Sequence, residues 1–346
     1  MISLLFAGII SFLVSLLGMP FLIRALAARG IGQPIRKDGP QAHMKKSGTP
    51  TMGGIMIVIA GVAGYVLPHL FSDAVPFSRG GLLVVFAFVG GAAVGLADDW
   101  IKVTRRRSLG LNKRAKIAGQ FGVALVFAVL AVNWAHVRTV VGFTRYANPG
   151  WRIPAMLWVL FAMFVVIGFS NAVNMTDGLD GLAAGSSVYA FSAYVVMAFW
   201  MFRHSADYRV PQALDVAVVA AAMVGACAGF LWWNAAPARI FMGDVGALAI
   251  GSAFGAIAMV TYTPLLLPII GGLFVLETVS VIIQVFTFRV LGGRRWFRMA
   301  PFHHHFELGG WPETTVLIRF WIIAMILVAV GLGIFYADFI ALGGID

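Results

Sequence analysis

Segment 171–181 carries two amides and two carboxylates at intervals of three residues, directly after a long apolar run. These residues are Asn171, Asn174, Asp177 and Asp180. Side chains three residues apart on a helix stay near one another, and Gly178 and Gly181 loosen the backbone where the carboxylates begin. Because polar and ionisable residues at the end of a membrane-spanning helix cost free energy, we interpret the group as a binding or catalytic site. A capped helix end with an Asx-type turn is the alternative.

Three further carboxylates stand at the ends of other apolar segments. Asp98 and Asp99 are adjacent, and Lys102 follows within helical reach of Asp98. Neighbouring like charges raise one pKa, and a nearby cation restores ionisation. We expect this pair to act as a general base, as a metal ligand or as both; an interfacial helix end is the alternative. Asp244 lies on a glycine-flanked turn, where a helix N-cap is the alternative to a ligand role.

The chemistry of these motifs is that of oxygen ligands. The five carboxylates belong to Asp98, Asp99, Asp177, Asp180 and Asp244, whereas the single cysteine, Cys227, lies within an apolar run. Hard oxygen ligands of this kind suit Mg²⁺ or Mn²⁺. Magnesium usually links one or two carboxylates to a substrate phosphate. The pattern therefore predicts phosphate chemistry in which not every aspartate contacts the metal.

Two other segments offer donors to a phosphate. His303, His304 and His305 are consecutive, and consecutive side chains on a helix splay about 100° apart. We therefore expect them to contact a phosphate rather than to converge on one zinc ion; an interfacial histidine run is the alternative. Lys46 and Thr51 precede another apolar segment and are predicted to hold an anionic group, with an ordinary solvated basic loop as the alternative.

The elements that position these residues are apolar helices. The chain is 60% hydrophobic and only 11% charged, with a mean hydropathy of +0.91, whereas a soluble domain carries roughly twice that charged fraction. A span needs about 20 largely apolar residues. This predicts ten transmembrane helices, near 2–23, 53–70, 81–97, 117–134, 154–172, 182–202, 213–233, 246–262, 266–288 and 316–336. The predicted fold class is all-α, a polytopic membrane protein with residues 1–346 forming one domain.

The loop charges predict the orientation of these helices. Of the 25 Lys and Arg residues, 18 fall in loops on one side and six on the other, so the first side is predicted to be cytoplasmic and both termini periplasmic. All four polar motifs fall on the cytoplasmic side, which indicates a single site. The run Arg105–Arg107 is expected to meet anionic membrane lipids. Nucleic-acid binding is not expected, because the charges line a membrane surface.

Glu277 is the ionisable residue that lies deep within a predicted span. An intramembrane acid is a candidate functional residue by default. A structural role is the preferred interpretation here, with Glu277 protonated and hydrogen-bonded to Gln284, two turns away, or to a neighbouring helix.

Taken together, the motifs resemble a known superfamily. Asp98-Asp99, segment 171–181, segment 241–244 and segment 299–313 look like the polyprenyl-phosphate N-acetylhexosamine-1-phosphate transferases. The three histidines, with segment 48–54, resemble in particular the phospho-N-acetylmuramoyl-pentapeptide transferases. The resemblance implies transfer of phospho-MurNAc-pentapeptide from UDP-MurNAc-pentapeptide to undecaprenyl phosphate, which yields lipid I and UMP at the inner face of the bacterial cytoplasmic membrane. It also implies a homodimer.

The resemblance further implies individual roles. Asp244 is expected to hold Mg²⁺, and Asp98 to deprotonate the lipid phosphate. A basic position of the family aligns with Arg114 or Lys116. The predicted catalytic residues are Asp98, Asp99, Asp244, His303 and His304. The predicted substrate-binding residues are Lys46, Thr51, Lys102, Lys116, Asn171, Asn174, Asp177, Asp180, Asn234, Phe241, Gly243 and His305, with Phe241 resembling a residue that stacks on uracil.

Two other functions compete with this interpretation. A UDP-GlcNAc:polyprenyl-phosphate GlcNAc-1-phosphate transferase has similar aspartates, but the histidine run and the Trp311–Glu313 segment argue against it. An ion-coupled transporter predicts acids near the bilayer midplane and repeated halves. Here only Glu277 lies deep, and the clustered acids are interfacial and on one side.

Overall fold

The computed structural model describes residues 1–32, 48–71, 75–105 and 110–343. Lys46 lies outside these residues, as do Arg106 and Arg107 of the predicted lipid-contacting run. The described part of the chain is helical apart from one small hairpin. Its helices are α1 (Ile2–Ala28), α2 (Gly54–Phe71), α3 (Arg79–Thr104), α4 (Lys113–Asn133), α5 (Ala155–Thr176), α6 (Leu182–Arg203), α7 (Ser205–Tyr208), α8 (Ala213–Asn234), α9 (Gly243–Val260), α10 (Leu267–Ile270), α11 (Gly272–Val290), α12 (Phe302–Glu307) and α13 (Glu313–Ile340).

Within the described residues, ten of these helices are long and apolar enough to cross a membrane. Each coincides with one of the ten predicted spans, so the prediction of an all-α polytopic membrane protein is confirmed. The three short helices, α7, α10 and α12, lie between spans.

Several helix boundaries differ from the predicted ones. Helix α3 continues past Asp98 to Thr104, so the aspartate pair lies inside its last turns. The span predicted from residue 266 begins instead at Gly272, after the short helix α10. Pro268 lies in the first turn of α10, where its missing N–H costs nothing.

A small hairpin, which the sequence pattern did not predict, joins α4 to α5. Strands β1 (Val140–Val141) and β2 (Trp151–Arg152) pair antiparallel. Its turn is fixed to α13, because Asp338 accepts hydrogen bonds from Thr144 Oγ1 at 2.6 Å and Asn148 Nδ2 at 2.6 Å. Strands of two residues are too short to show an alternating pattern, which explains why the prediction missed them.

Helices α8 and α9 form the centre of the bundle. In α9, 89% of the apolar stretch is buried, against 22% in α13. Small residues permit this burial, because they let helix backbones approach closely in lipid. On α8, a Cβ at Gly225 would lie 2.1 Å from the Gly8 carbonyl oxygen of α1. Similar glycine contacts between α3 and α9 position the polar site.

Candidate active site

Lys102 lies at the centre of three carboxylates, Asp98, Asp99 and Asp244, which we call the carboxylate cluster. Its Nζ atom is 2.7 Å from Asp98 Oδ2, 3.2 Å from Asp99 Oδ1 and 3.0 Å from Asp244 Oδ2. Lys116 Nζ lies 2.6 Å from the same Asp244 oxygen. Two ammonium groups therefore offset three negative charges that would otherwise repel one another.

Close contact between α3 and α9 brings the cluster together. A Cβ at Gly95 would lie 2.2 Å from the Asp244 carbonyl oxygen, and one at Gly91 would lie 2.7 Å from the Leu248 carbonyl oxygen. These two glycines are one helical turn apart on the same face of α3. Because neither carries a side chain, the first turns of α9 pack directly on the α3 backbone, next to the aspartate pair.

The two adjacent aspartates have different environments. Asp99 Oδ2 accepts a hydrogen bond from Val245 N at 3.1 Å, in the first turn of α9, where a carboxylate is favoured. Asp98 Oδ1 accepts one from Leu111 N at 2.9 Å. Asp98 Oδ2 is buried and makes no hydrogen bond within the described residues, although it lies within ion-pair distance of Lys102. The partner of this second oxygen is thus the Lys102 ammonium, whereas the partner of the first is a backbone amide.

Gly243 is required at the beginning of α9 for two reasons. Its φ is +74°, a left-handed conformation that residues with a Cβ rarely adopt. A Cβ there would also lie 2.5 Å from Asp99 Oδ2. The glycine predicted to contact substrate therefore also shapes the carboxylate cluster.

Helix α5 contributes one amide directly to the cluster. Asn174 Nδ2 donates to Asp244 Oδ1 at 2.7 Å, so both oxygens of Asp244 have partners. Asn171 lies almost one turn earlier and donates instead to Gln120 Oε1 at 3.1 Å and to the Ile167 carbonyl oxygen at 2.8 Å. Although the two amides are regularly spaced in the sequence, they have different partners, because the two side chains lie at different depths in the bundle.

The turn that follows α5, residues 177–181, carries the remaining two aspartates. Burial, together with the nearby Asp244 and Asp99 carboxylates, raises the pKa of Asp177 to about 8. Asp180 Oδ2 accepts a hydrogen bond from Ala238 N at 3.0 Å. Asp177 therefore belongs electrostatically to the carboxylate cluster, whereas Asp180 fixes the neighbouring loop.

Asn234 and Phe241 lie at the two ends of the loop between α8 and α9. Buried Asn234 accepts a hydrogen bond from Gly181 N at 2.9 Å and donates to the Ile240 carbonyl oxygen at 2.9 Å. It thereby connects the 177–181 turn to this loop. Half-exposed Phe241 donates its N–H to the Pro50 carbonyl oxygen at 2.8 Å. Buried Thr51 follows Pro50 directly, so the structure brings Thr51 and Phe241 to the same edge of the site.

The three histidines point to three different partners. His303 Nδ1 lies 3.1 Å from Glu277 Oε2, and His304 Nδ1 lies 2.7 Å from Glu307 Oε2. His305 Nδ1 accepts a hydrogen bond from Arg298 N at 3.1 Å. The rings of His303 and His304 contact each other, with centroids 4.2 Å apart, but within the described residues the three histidines form no group that could hold a metal ion. Within the described residues no hydrogen bond or ion pair joins them to the carboxylate cluster.

The cluster has the donor set of a site for a hard divalent cation. Single oxygens from Asp98, Asp99 and Asp244 all lie within 4.8 Å of one another. Carboxylate oxygens are the preferred ligands of Mg²⁺, and Asp98 Oδ2 is buried without a hydrogen-bond partner among the described residues. These residues therefore fit a magnesium ion.

Comparisons with known proteins show the family of this chain. Residues 81–262 match the model of glycosyl transferase family 4, and residues 46–58 match the phospho-N-acetylmuramoyl-pentapeptide-transferase signature 1. The chain is 50% identical to the phospho-N-acetylmuramoyl-pentapeptide-transferase of Frankia casuarinae, over 98% of the chain and 99% of that protein. It is 49% identical to the one of Streptomyces coelicolor, over 97% and 98% of the two chains. The chain belongs to the phospho-N-acetylmuramoyl-pentapeptide-transferase family.

Membership in the phospho-N-acetylmuramoyl-pentapeptide-transferase family confirms the resemblance drawn from the motifs. Of the two candidates for the family's basic position, Lys116 contacts Asp244, whereas Arg114 is exposed.

Some residues that build the site lie outside the predicted motifs. Gly91 and Gly95 had a detectable signal, since small residues four apart on a predicted span indicate close helix packing. The Leu111 amide that binds Asp98 had none, because a backbone donor leaves no mark in the residue type. For Glu277, the alternative of a partner on a neighbouring helix is confirmed, although His303 was not named as that partner.

Proposed function

We propose that this protein transfers phospho-MurNAc-pentapeptide from UDP-MurNAc-pentapeptide to undecaprenyl phosphate. An oxygen of the lipid phosphate attacks the β-phosphorus of the donor, and the bond from that phosphorus to the bridging oxygen breaks. The products are lipid I, which contains the new diphosphate, and UMP. The observation that carries this proposal is the carboxylate cluster with its two lysines. The cluster lies in a chain that is about half identical to a phospho-N-acetylmuramoyl-pentapeptide-transferase over nearly its full length.

Asp98 is the proposed proton acceptor in this reaction. Its Oδ2 atom lies 2.7 Å from the Lys102 ammonium, and this oxygen is proposed to take the proton of a singly protonated lipid phosphate. The second pKa of a phosphate monoester is near 6, so much of the acceptor arrives already deprotonated. The base therefore contributes modestly, about 10²–10⁴-fold by analogy with general-base effects.

Lys102 and Lys116 are proposed to stabilise negative charge in the site. The acceptor phosphate and the donor diphosphate bring several negative charges next to three aspartates. The two ammonium groups already lie 2.6–3.2 Å from aspartate oxygens, so they reduce this repulsion without rearrangement. Fixed charges of this kind usually supply the largest share of catalysis in phosphoryl transfer.

Mg²⁺ is the proposed cofactor, held by Asp244 with Asp98 or Asp99. When bound, it would supply positive charge that stabilises the departing UMP phosphate. Asn174 orients Asp244 through its hydrogen bond, and Asp177 adds a further carboxyl group near that position. His303 and His304 are proposed to influence the donor phosphates, and His305 is proposed to bind substrate.

The nucleotide donor is proposed to bind beside the cluster. Phe241 is half-exposed just before the beginning of α9, which suits stacking on uracil. The other residues proposed to bind the donor are Lys46, Thr51, Asn171, Asp177, Asp180, Asn234 and Gly243. Both substrates then meet where a soluble diphosphate can reach a membrane-embedded phosphate.

The loop charges support the proposed orientation. With 18 cations on the active-site side against six on the other, the site faces the cytoplasm and both termini face the periplasm. We place the protein in the bacterial cytoplasmic membrane as a homodimer, by analogy with its family.

The decisive experiment measures UMP release by purified protein in detergent, comparing wild type with Asp244→Ala. We expect release that needs both substrates and Mg²⁺ and that disappears in the variant. Turnover with UDP-GlcNAc in place of UDP-MurNAc-pentapeptide would assign a different donor. Folded protein that releases no UMP from either donor would overturn the proposal.

A further inference from the structure

Glu277 is a carboxylate with no place in the proposed reaction. It is the sixth residue of α11, inside a membrane-spanning helix, and its side chain is 0% exposed. A carboxylate in such an environment is strongly destabilising unless a partner offsets its charge or shares its proton. The identity of that partner therefore shows what Glu277 does.

The partner of Glu277 is His303, from the short helix α12. Glu277 Oε2 lies 3.1 Å from His303 Nδ1 and 3.4 Å from the His303 backbone nitrogen. The His303 side chain is also 0% exposed. Gln284 is not the partner, because its amide donates to the Phe297 carbonyl oxygen and accepts from Phe297 N, both at 2.9 Å. Two polar residues of α11 thus hold the segment that leads into α12.

The other side of the His303 ring rests on the 177–181 turn. A Cβ at Gly178 would lie 2.3 Å from His303 Nε2, so the ring packs directly against the Gly178 backbone. The imidazole therefore lies between the Glu277 carboxylate and the turn that carries Asp177. Neither ring nitrogen of His303 has a hydrogen bond within the described residues, so ion-pair and packing contacts hold the ring.

We propose that Glu277 is a positioning residue that acts through His303 on the donor site. The carboxylate holds the imidazole, and the imidazole supports the 177–181 turn in the conformation that places Asp177 beside the carboxylate cluster. This inference rests on the proposed role of that turn in binding the nucleotide donor. Glu277 itself contacts no substrate.

The test is a double-mutant cycle with Glu277→Gln and His303→Ala, read out as the Kd of UDP-MurNAc-pentapeptide by calorimetry in Mg²⁺. Binding does not require turnover, so the cycle stays measurable if catalysis is lost. We expect each single variant to weaken donor binding about tenfold, and the double variant to weaken it by about the same factor, because contacting residues are not additive. The acceptor KM of Glu277→Gln should change less than about twofold, because the proposed contact supports only the donor turn.

Ser280→Ala is the matched control, since Ser280 is buried on the same helix and its hydroxyl donates to the Glu277 carbonyl oxygen within α11. It should leave donor binding unchanged. The proposal would be overturned if Glu277→Gln bound the donor with normal affinity. It would also be overturned if the double variant weakened donor binding about a hundredfold, because the two losses would then be independent. Wild-type protein that binds a different UDP-sugar instead would show that the proposed function, not the positioning role, had failed.

Gly178→Ala provides a second test that leaves Glu277 intact. In wild type the new methyl group meets the His303 ring, so donor binding should weaken about tenfold, as expected when a packed contact is displaced. In the His303→Ala background that space is open, and Gly178→Ala should cause no further loss. An equal loss in both backgrounds would overturn the role of His303 in supporting the turn.

Discussion

Gly95 and Asp244 are in direct contact across the interface of α3 and α9, where a Cβ on the glycine would lie 2.2 Å from the aspartate carbonyl oxygen. The reactive carboxylates therefore depend on a position that carries no side chain. Because the contacted atom belongs to the backbone, it has no flexible side chain that could move aside.

We predict that Gly95→Ala separates α3 from α9 and disrupts the carboxylate cluster. Overpacking of this kind costs about 3 kcal/mol, and a displacement near 1 Å costs about 10²-fold in rate. Thermal unfolding in detergent and UMP release measure the two effects. Gly122→Ala is the control, because a Cβ at Gly122 meets no atom within 4 Å. Wild-type activity in Gly95→Ala would contradict the prediction.

Lys102→Gln should destabilise the protein most strongly when no divalent cation is present. The substitution leaves Asp98 and Asp99, both 3% exposed, without their central cation, and removing one partner of a buried ion pair costs about 3 kcal/mol. Added Mg²⁺ should restore part of this loss by supplying positive charge.

The measurement for Lys102→Gln is the thermal midpoint in EDTA and in Mg²⁺. Lys113→Gln, at an exposed position in the first turn of α4, should behave as wild type in both conditions. A midpoint for Lys102→Gln that does not respond to Mg²⁺ would argue against a cation site in the cluster.

Asp177→Asn should change how stability depends on pH in the metal-free protein. The folded-state pKa of Asp177 is about 8, whereas an unfolded aspartate has a pKa of about 4. The folded state binds the Asp177 proton more tightly than the unfolded state does. This tighter binding stabilises the folded state fully below pH 4, and the contribution is lost as pH rises through 8. Over that window wild type loses up to about 1.4 kcal/mol per pH unit from this group, and the asparagine variant does not.

Thermal unfolding in EDTA at several pH values tests the Asp177 prediction. The midpoint of Asp177→Asn relative to wild type should rise from pH 5 to pH 8 and stay level above that. A constant difference across this range would mean that Asp177 has an ordinary pKa in the folded protein.

Asp98→Asn should lower kcat with little effect on folding. The asparagine retains an oxygen that can accept from Leu111 N but cannot take a proton, so kcat should fall by about 10²–10⁴-fold. Initial rates at saturating substrates give kcat, and the thermal midpoint reports on folding. A kcat within threefold of wild type would remove Asp98 from the role of base.

Asp215→Asn is the matched comparison for Asp98→Asn. Asp215 is also 3% exposed, but it accepts hydrogen bonds from Tyr65 Oη at 3.1 Å and Ser78 N at 2.7 Å, away from the carboxylate cluster. Its replacement should lower the thermal midpoint and leave kcat per folded molecule unchanged.

The sequence by itself determined the helical architecture and the chemical character of the site. Ten apolar stretches of spanning length have only one way to satisfy their backbone hydrogen bonds in lipid, which is to form helices. The contact of Asp98 with Lys102 was also predictable, since residues four apart on a helix are neighbours. Aspartates without thiols indicated an oxygen-ligand site, whatever their arrangement in space.

Only the tertiary structure decided which residues meet. Lys116 and Lys102 reach Asp244 from 128 and 142 residues away in the chain. Asn174 joins the cluster while Asn171 bonds to Gln120, and Glu277 lies beside His303 rather than Gln284. These outcomes depend on how each helix is rotated and how closely its backbone approaches the next. Glycine contacts between distant segments set that geometry. Small residues four apart indicate that a helix packs closely, but they do not show which helix it packs against.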